Sequence, residues 1–231
     1  FNKSQGFFFS TGITDTEMNV MSYNPKVKLR NKLFGFSFDN ISGIDLNYTY
    51  YRSDRMPTTG GATQQVYKFS DTNLGFYSNF ESQIDTNNKI GAGARFQGNW
   101  LKASDFVGPA SGAFRTNNRD SLTYDPQYAL HLGYERNFNS MGIIFARIGR
   151  SFTYPNVDQR VGHTPFNVSH DFKLRTQTSN DYEIGHSFKN KSFSFHNTFY
   201  YMNLRSEIYY DSVDFLNKNL DPSKRYGVES S

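Results

Sequence analysis

The chain has 231 residues, is 36% hydrophobic and 17% aromatic, and carries a net charge of +4, with a mean hydropathy of −0.68. Without cysteine there is neither a disulfide framework nor a thiolate centre, and no apolar run approaches the roughly 18 residues of a transmembrane helix. The Lys and Arg residues are dispersed rather than clustered, which argues against a nucleic-acid partner.

In chain order, residues 1–22 are weakly patterned: Gly6-Phe7-Phe8-Phe9 suits a strand, and residues 11–17 read as a polar loop. Val27 and Leu29 alternate with Lys26, Lys28 and Arg30, which predicts a strand over 23–30, and a turn is expected at 39–42. Residues 43–52 give a clear strand, with Ile44, Leu46, Tyr48 and Tyr50 opposed to Asp45, Asn47, Thr49 and Tyr51. A long polar loop is expected over 53–71, where Pro57 and Gly60-Gly61 punctuate the chain.

Residues 72–83 alternate again, and a tight turn is expected at 85–88. Over 89–101, Ile90, Ala92, Ala94, Phe96 and Trp100 share one side, and Gly91, Gly93, Arg95, Gln97 and Asn99 the other. A second long loop is expected over 103–126. Residues 128–136 and 141–152 read as strands joined by a short turn at 137–140, and a third loop covers 153–178. The clearest pattern spans 179–210. Tyr182, Ile184 and Phe188 oppose Asp181, Glu183, Gly185 and Ser187; after a turn at 189–191, Phe193, Phe195, Phe199 and Tyr201 oppose Ser192, Ser194, His196 and Thr198. A last loop covers 211–224, and a new strand opens at Arg225.

Each clear run is close to the roughly 9–11 tilted residues that cross a bilayer as a strand. Composition alone also fits a large soluble β protein, since soluble sheets alternate too. The connections separate the two readings. Short turns near 40, 87, 138 and 190 interleave with long loops near 60, 115, 165 and 217. Membrane barrels are built this way, with tight periplasmic turns on one rim and long extracellular loops on the other, whereas Greek-key sandwiches keep no such order. The fold class is therefore all-β: a transmembrane, antiparallel, up-and-down β-barrel, of which about nine strands are present. Residues 1–231 are read as one part of a barrel domain, because a sheet in lipid must close on itself.

Four stretches resemble TonB-dependent outer-membrane receptors: Ile148-Gly149-Arg150-Ser151-Phe152-Thr153-Tyr154-Pro155-Asn156-Val157-Asp158; Thr176-Gln177-Thr178-Ser179-Asn180-Asp181-Tyr182-Glu183-Ile184-Gly185; Asn219-Leu220-Asp221 followed by Arg225-Tyr226-Gly227-Val228-Glu229; and Gly91 to Arg95. The resemblance implies a barrel of about 22 strands plugged by an N-terminal domain. It further implies energy supplied by the TonB complex through that plug, and import of a scarce ligand, most often a small-molecule metal chelate such as a ferric siderophore, sometimes cobalamin, haem or a glycan. Neither a plug, a TonB-contacting box nor the closing strands are recognised in this sequence, so the chain is expected to be the middle-to-late part of the barrel. The alternative is a passive porin-like or structural outer-membrane barrel.

Arg150, Pro155, Asn156, Asp158, Tyr182, Glu183, Gly185, Asn219, Gly227 and Glu229 are expected to be structural, with Glu183 and Glu229 in the lumen near Arg95 and Arg150. Contacts to an anionic, apolar-rimmed chelate are sought in the outer loops, at Arg119, Tyr124, Tyr154, Arg160, His163 and His170. His163 and His170 share a loop with Asp158 and Asp171, but without tight ligand spacing they read as surface residues rather than a metal centre. Ser121, Asp120 and His131 carry no triad signal, and no phosphate or dinucleotide fingerprint is present. No catalytic residue and no cofactor are expected; the expected partners are the outer-membrane bilayer, the TonB complex and the metal chelate.

Overall fold

A computed structural model describes residues 2–9, 12–33, 36–56, 65–107, 119–160, 174–214 and 216–231. Thirteen strands follow in chain order: β1 (Asn2–Phe9), β2 (Gly12–Tyr23), β3 (Lys26–Leu33), β4 (Phe36–Met56), β5 (Gln65–Gln83), β6 (Asn88–Val107), β7 (Arg119–Asn137), β8 (Ile143–Thr153), β9 (Gln177–Lys189), β10 (Ser194–Arg205), β11 (Ile208–Asp211), β12 (Leu216–Asn219) and β13 (Ser223–Ser230). Eleven of them form one sheet in the order β1-β2-β4-β5-β6-β7-β8-β9-β10-β13, with β3 also beside β4. Every pairing is antiparallel. The sheet is an open up-and-down wall whose edges, among the described residues, are β1 and β13.

β2 and β3 act as one strand along β4. Tyr23 opposes Leu46 and Lys26 opposes Gly43, so no residue is inserted between them. The break falls at Pro25, which has no N–H for the ladder, while its carbonyl still accepts from Ile44 N at 3.1 Å. Among the described residues the wall therefore has ten strand positions.

Alternation along each strand sorts side chains onto two faces. One outer row runs Tyr48, Thr72, Trp100, Tyr124; a second runs Ile44, Phe76, Phe96, Tyr128; a third runs Leu132, Ile148, Tyr182, Tyr201, Tyr226. Phe96 is 63% exposed and Tyr226 81%, an apolar face that only a lipid environment covers without cost. Trp100 stacks on Tyr124 with ring centroids 4.9 Å apart, as aromatic girdles at a membrane interface do. The opposite face carries Asp45, Asn73, Arg95, Gln97, Asn99 and Asp125 and forms the inner wall.

The expected short turns at 85–88, 137–140 and 189–191 are found, each tied by a side chain. The Asp85 carboxylate accepts from Asn87 N and Asn88 N, both at 2.8 Å; these bonds and that from the Asn88 side chain hold its pKa below the usual carboxylate range. Asn190 Oδ1 accepts from Ser192 N at 2.9 Å and Phe193 N at 2.8 Å. Between β7 and β8, Gly142 sits at φ 88°, and a Cβ there would lie 2.3 Å from Ser187 O.

Several expectations are corrected. The turn at 39–42 is absent, because β4 runs straight through it: Arg30 holds Asp39 at 2.8 Å and Asn40 donates to Ser78 Oγ at 2.9 Å. These turn-forming residue types are satisfied across the ladder instead. Residues 11–17 lie mostly in β2, not in a loop. The long loops are also shorter than expected: β4 has 21 residues and β5 has 19, so they rise well past the hydrocarbon core, where polar residues suit both faces. The loop at 211–224 contains the β11–β12 hairpin.

Candidate functional site

The inner wall of β4–β7 has a polar lower zone and an apolar upper zone. In the lower zone Arg95 crosses β5 to reach Asp45, Nη1 to Oδ2 2.5 Å. Gly75 makes the crossing possible: a Cβ there would lie 2.8 Å from Arg95 Nη2. Arg95 Nε also donates to Gln97 Oε1 at 2.8 Å, and Gln97 Nε2 to Asn73 Oδ1 at 3.1 Å. Asn99 joins Asn73 to Asp71. Six side chains thus form one connected ribbon up the wall, each polar group answering the next, as a part-buried network requires.

Higher on the same face, Tyr51, Tyr67, Phe69, Leu101 and Ala103 form a buried apolar cluster, with Tyr67 and Ala103 fully covered. Part of the cover comes from the chain after β8. Residues 154–160 turn inward rather than outward, and Val157 packs on the cluster. The Tyr154 hydroxyl donates between the carbonyls of Gln97 and Asp125, 2.9 and 2.8 Å away.

Asn156 and Gln159 exchange hydrogen bonds between side chain and backbone at 2.8 and 2.9 Å, closing a 3₁₀ turn over Asp158–Arg160. Pro155 is buried. Arg160 is 5% exposed and donates to Leu174 O at 3.4 Å. On the return, the Thr176 hydroxyl donates to the Asp125 carboxylate. Asn219 then clamps the return to the outer hairpin: its Oδ1 accepts from Arg175 N at 2.8 Å, and its Nδ2 donates to Arg175 O at 3.0 Å and to Ser206 O at 2.8 Å.

The other residues singled out from sequence fall as follows. Tyr124 stands on the outer face against Trp100, away from the bore. Arg119 opens β7 opposite Asp105, and His163 and His170 lie outside the described residues. Arg150 was expected in the lumen, but its register with Leu130 gives it the outer face. There it fills the fork where β7 and β8 part, with its guanidinium over the Tyr128 ring at 3.9 Å, donating to Tyr128 O and, at 3.2 Å, to Gln127 Oε1.

Asp158 starts the turn of the inward segment. Glu183 opposes Arg147 and Glu229 opposes Thr198, both at inner positions. Tyr182 meets Tyr201 on the outer face, centroids 6.0 Å apart. Gly185 and Gly227 lie beneath the rings of Phe145 and Tyr200. No sequence motif marks the ribbon residues Asp71, Asn73, Gln97 and Asn99 as a unit. The available signal was amides recurring at every second position on adjacent strands.

The sequence profile of the family described as "TonB dependent receptor-like, beta-barrel" matches residues 1–231. No curated protein matches the chain. Among solved structures, the ferric-catecholate import receptor Fiu from K12 E. coli is 11% identical at a TM-score of 0.70, over 94% of this chain and 35% of that one. The ferric yersiniabactin uptake receptor FyuA from Yersinia pestis is 12% identical at 0.70, over 99% and 35%. The copper transporter OprC is 13% identical at 0.71, over 95% and 35%. At these identities the likeness is one of fold, and the chain spans about a third of the length of each structure. A profile match over the whole length, on a wall with one lipid face and one polar face, shows that the chain belongs to the TonB-dependent receptor-like β-barrels, proteins of the bacterial outer membrane.

Proposed function

We propose that this wall is part of a receptor that imports a scarce metal chelate, an iron complex in the first instance, across the outer membrane with energy from the TonB complex. The observation that carries the reading is the family match over all 231 residues. The names of the similar structures agree with it, two being receptors for ferric chelates and one a copper transporter. The family is one of transporters, and the chemistry proposed is binding and passage, with no bond made or broken. Coupling to TonB is assigned to a plug domain beyond this sequence. Tyr154 and Arg160 would serve the ligand by shaping the upper bore, and Arg119, His163 and His170 by contact from the outer loops.

The test is uptake of radiolabelled ferric siderophores by iron-starved cells carrying the full-length gene, with and without an intact TonB system. The expected result is TonB-dependent accumulation of at least one chelate. Equal uptake in both strains, together with single-channel conductance of the purified protein, would replace the receptor with a passive pore.

A further inference from the structure

The chain between β8 and β9 has the length and polar composition of an outer loop, yet its first seven described residues, 154–160, lie on the inner wall. We infer that Tyr154 is a positioning residue that docks residues 154–160 as a fixed ledge of the upper bore, so that this stretch belongs to the barrel wall. Three independent observations converge. The hydroxyl sits between two backbone carbonyls contributed by neighbouring strands, β6 and β7, a seat that exists only while the wall is intact. Val157 closes a buried cluster whose members, at inner positions, would otherwise face water. The returning chain is tied just before β9, by Thr176 to Asp125 and by Arg175 to Asn219.

Local opening is set by how much buried contact and how many hydrogen bonds must be given up; here both must be broken together. The ledge also accounts for Arg160, a cation held under cover by a carbonyl of the returning chain rather than displayed to solute.

Trypsin acting on outer-membrane vesicles that carry the full-length protein reads this directly, because cleavage after Arg160 requires the ledge to leave the wall. The native protein is expected to resist cleavage there, and Tyr154→Phe to be cut about tenfold faster, with the barrel still migrating as a folded, heat-modifiable species. Cleavage of the native protein as fast as the variant, or a variant as resistant as the native protein, would overturn the ledge. Should Tyr154→Phe not fold, spin labels at Asp158→Cys and Ser140→Cys in an otherwise cysteine-free, full-length protein decide the matter. One narrow distance, unmoved by added ferric citrate, is expected; a broad or multiple distribution would sink the idea. Neither readout involves uptake, so the ledge and the transport reading stand or fall separately.

Discussion

On the inner face of β4, β5 and β6, the positions of Asp45, Asn73, Arg95 and Gln97 are charged or amide, and each side chain is answered by a neighbour. A few residues higher on the same strands and the same face stand Tyr51, Phe69 and Leu101, buried and apolar. The lower zone solves its problem sideways, by hydrogen bonds along the wall. The upper zone solves it from above, by bringing in a segment more than 50 residues further along the chain. Face and period are shared, so neither decides polarity here. What decides it is whether another part of the molecule covers the wall and excludes water.

The largest expected effect tests the covered zone. Phe69→Ala empties a site that is 1% exposed and should cost about 3–5 kcal/mol, measured by urea unfolding of the full-length protein in lipid vesicles. A cost like that of an exposed residue would mean the ledge does not cover the cluster.

Next comes the assignment of faces. Leu132→Arg places a charge on the outer face and should cost about 1–4 kcal/mol, the value set by its depth in the bilayer. The neighbouring inner-face change, His131→Arg, should be nearly neutral in the same assay. Equal costs would erase the distinction between lipid and bore.

The ribbon should yield a smaller number. Asp45→Ala leaves Arg95 without its carboxylate. With both side chains part-exposed, at 21% and 31%, the loss after solvent screening should be about 1 kcal/mol. A double-mutant cycle with Arg95→Ala should return that value as coupling, and no coupling would make the contact incidental.

The smallest effect concerns the outer hairpin. The Lys218 hydrogen bond, with backbone bonds from Val213 and Asp214, lowers the Asp211 pKa to about 2. A carboxylate whose folded pKa is depressed contributes stability above its unfolded value, near 3.9, and loses it as pH falls towards the folded value. Hydrogen exchange over 208–219 should therefore be flat above about pH 4 after correction for intrinsic rates, and protection should fall between about pH 4 and pH 2. Protection unchanged at pH 2 would assign the hairpin's order to its packing instead.

Much of the wall was legible beforehand because period-two alternation is local. Ile184 and Phe199, or Asp181 and His196, take their faces from the backbone pleat whatever their neighbours do, and the short turns announced themselves through Asp85 and Asn190, whose side chains bond their own backbone. Asp39 and Asn40 misled because the same side chains can satisfy themselves across strands, and only pairing reveals which partner wins. Pro25 shows the reverse case, a strong breaker that removes one ladder bond while leaving the register intact.

The two-faced strands, their up-and-down order and the family can be read from the residues alone, since each is written in short-range spacing or in motifs. The tertiary structure alone decided that residues 154–160 enter the bore, that Arg150 fills a fork on the outer face and that Tyr51 and Phe69 are dry. Those outcomes depend on contacts between residues far apart in the chain, and the energy of covering an apolar patch resides in the pair of surfaces, not in either segment.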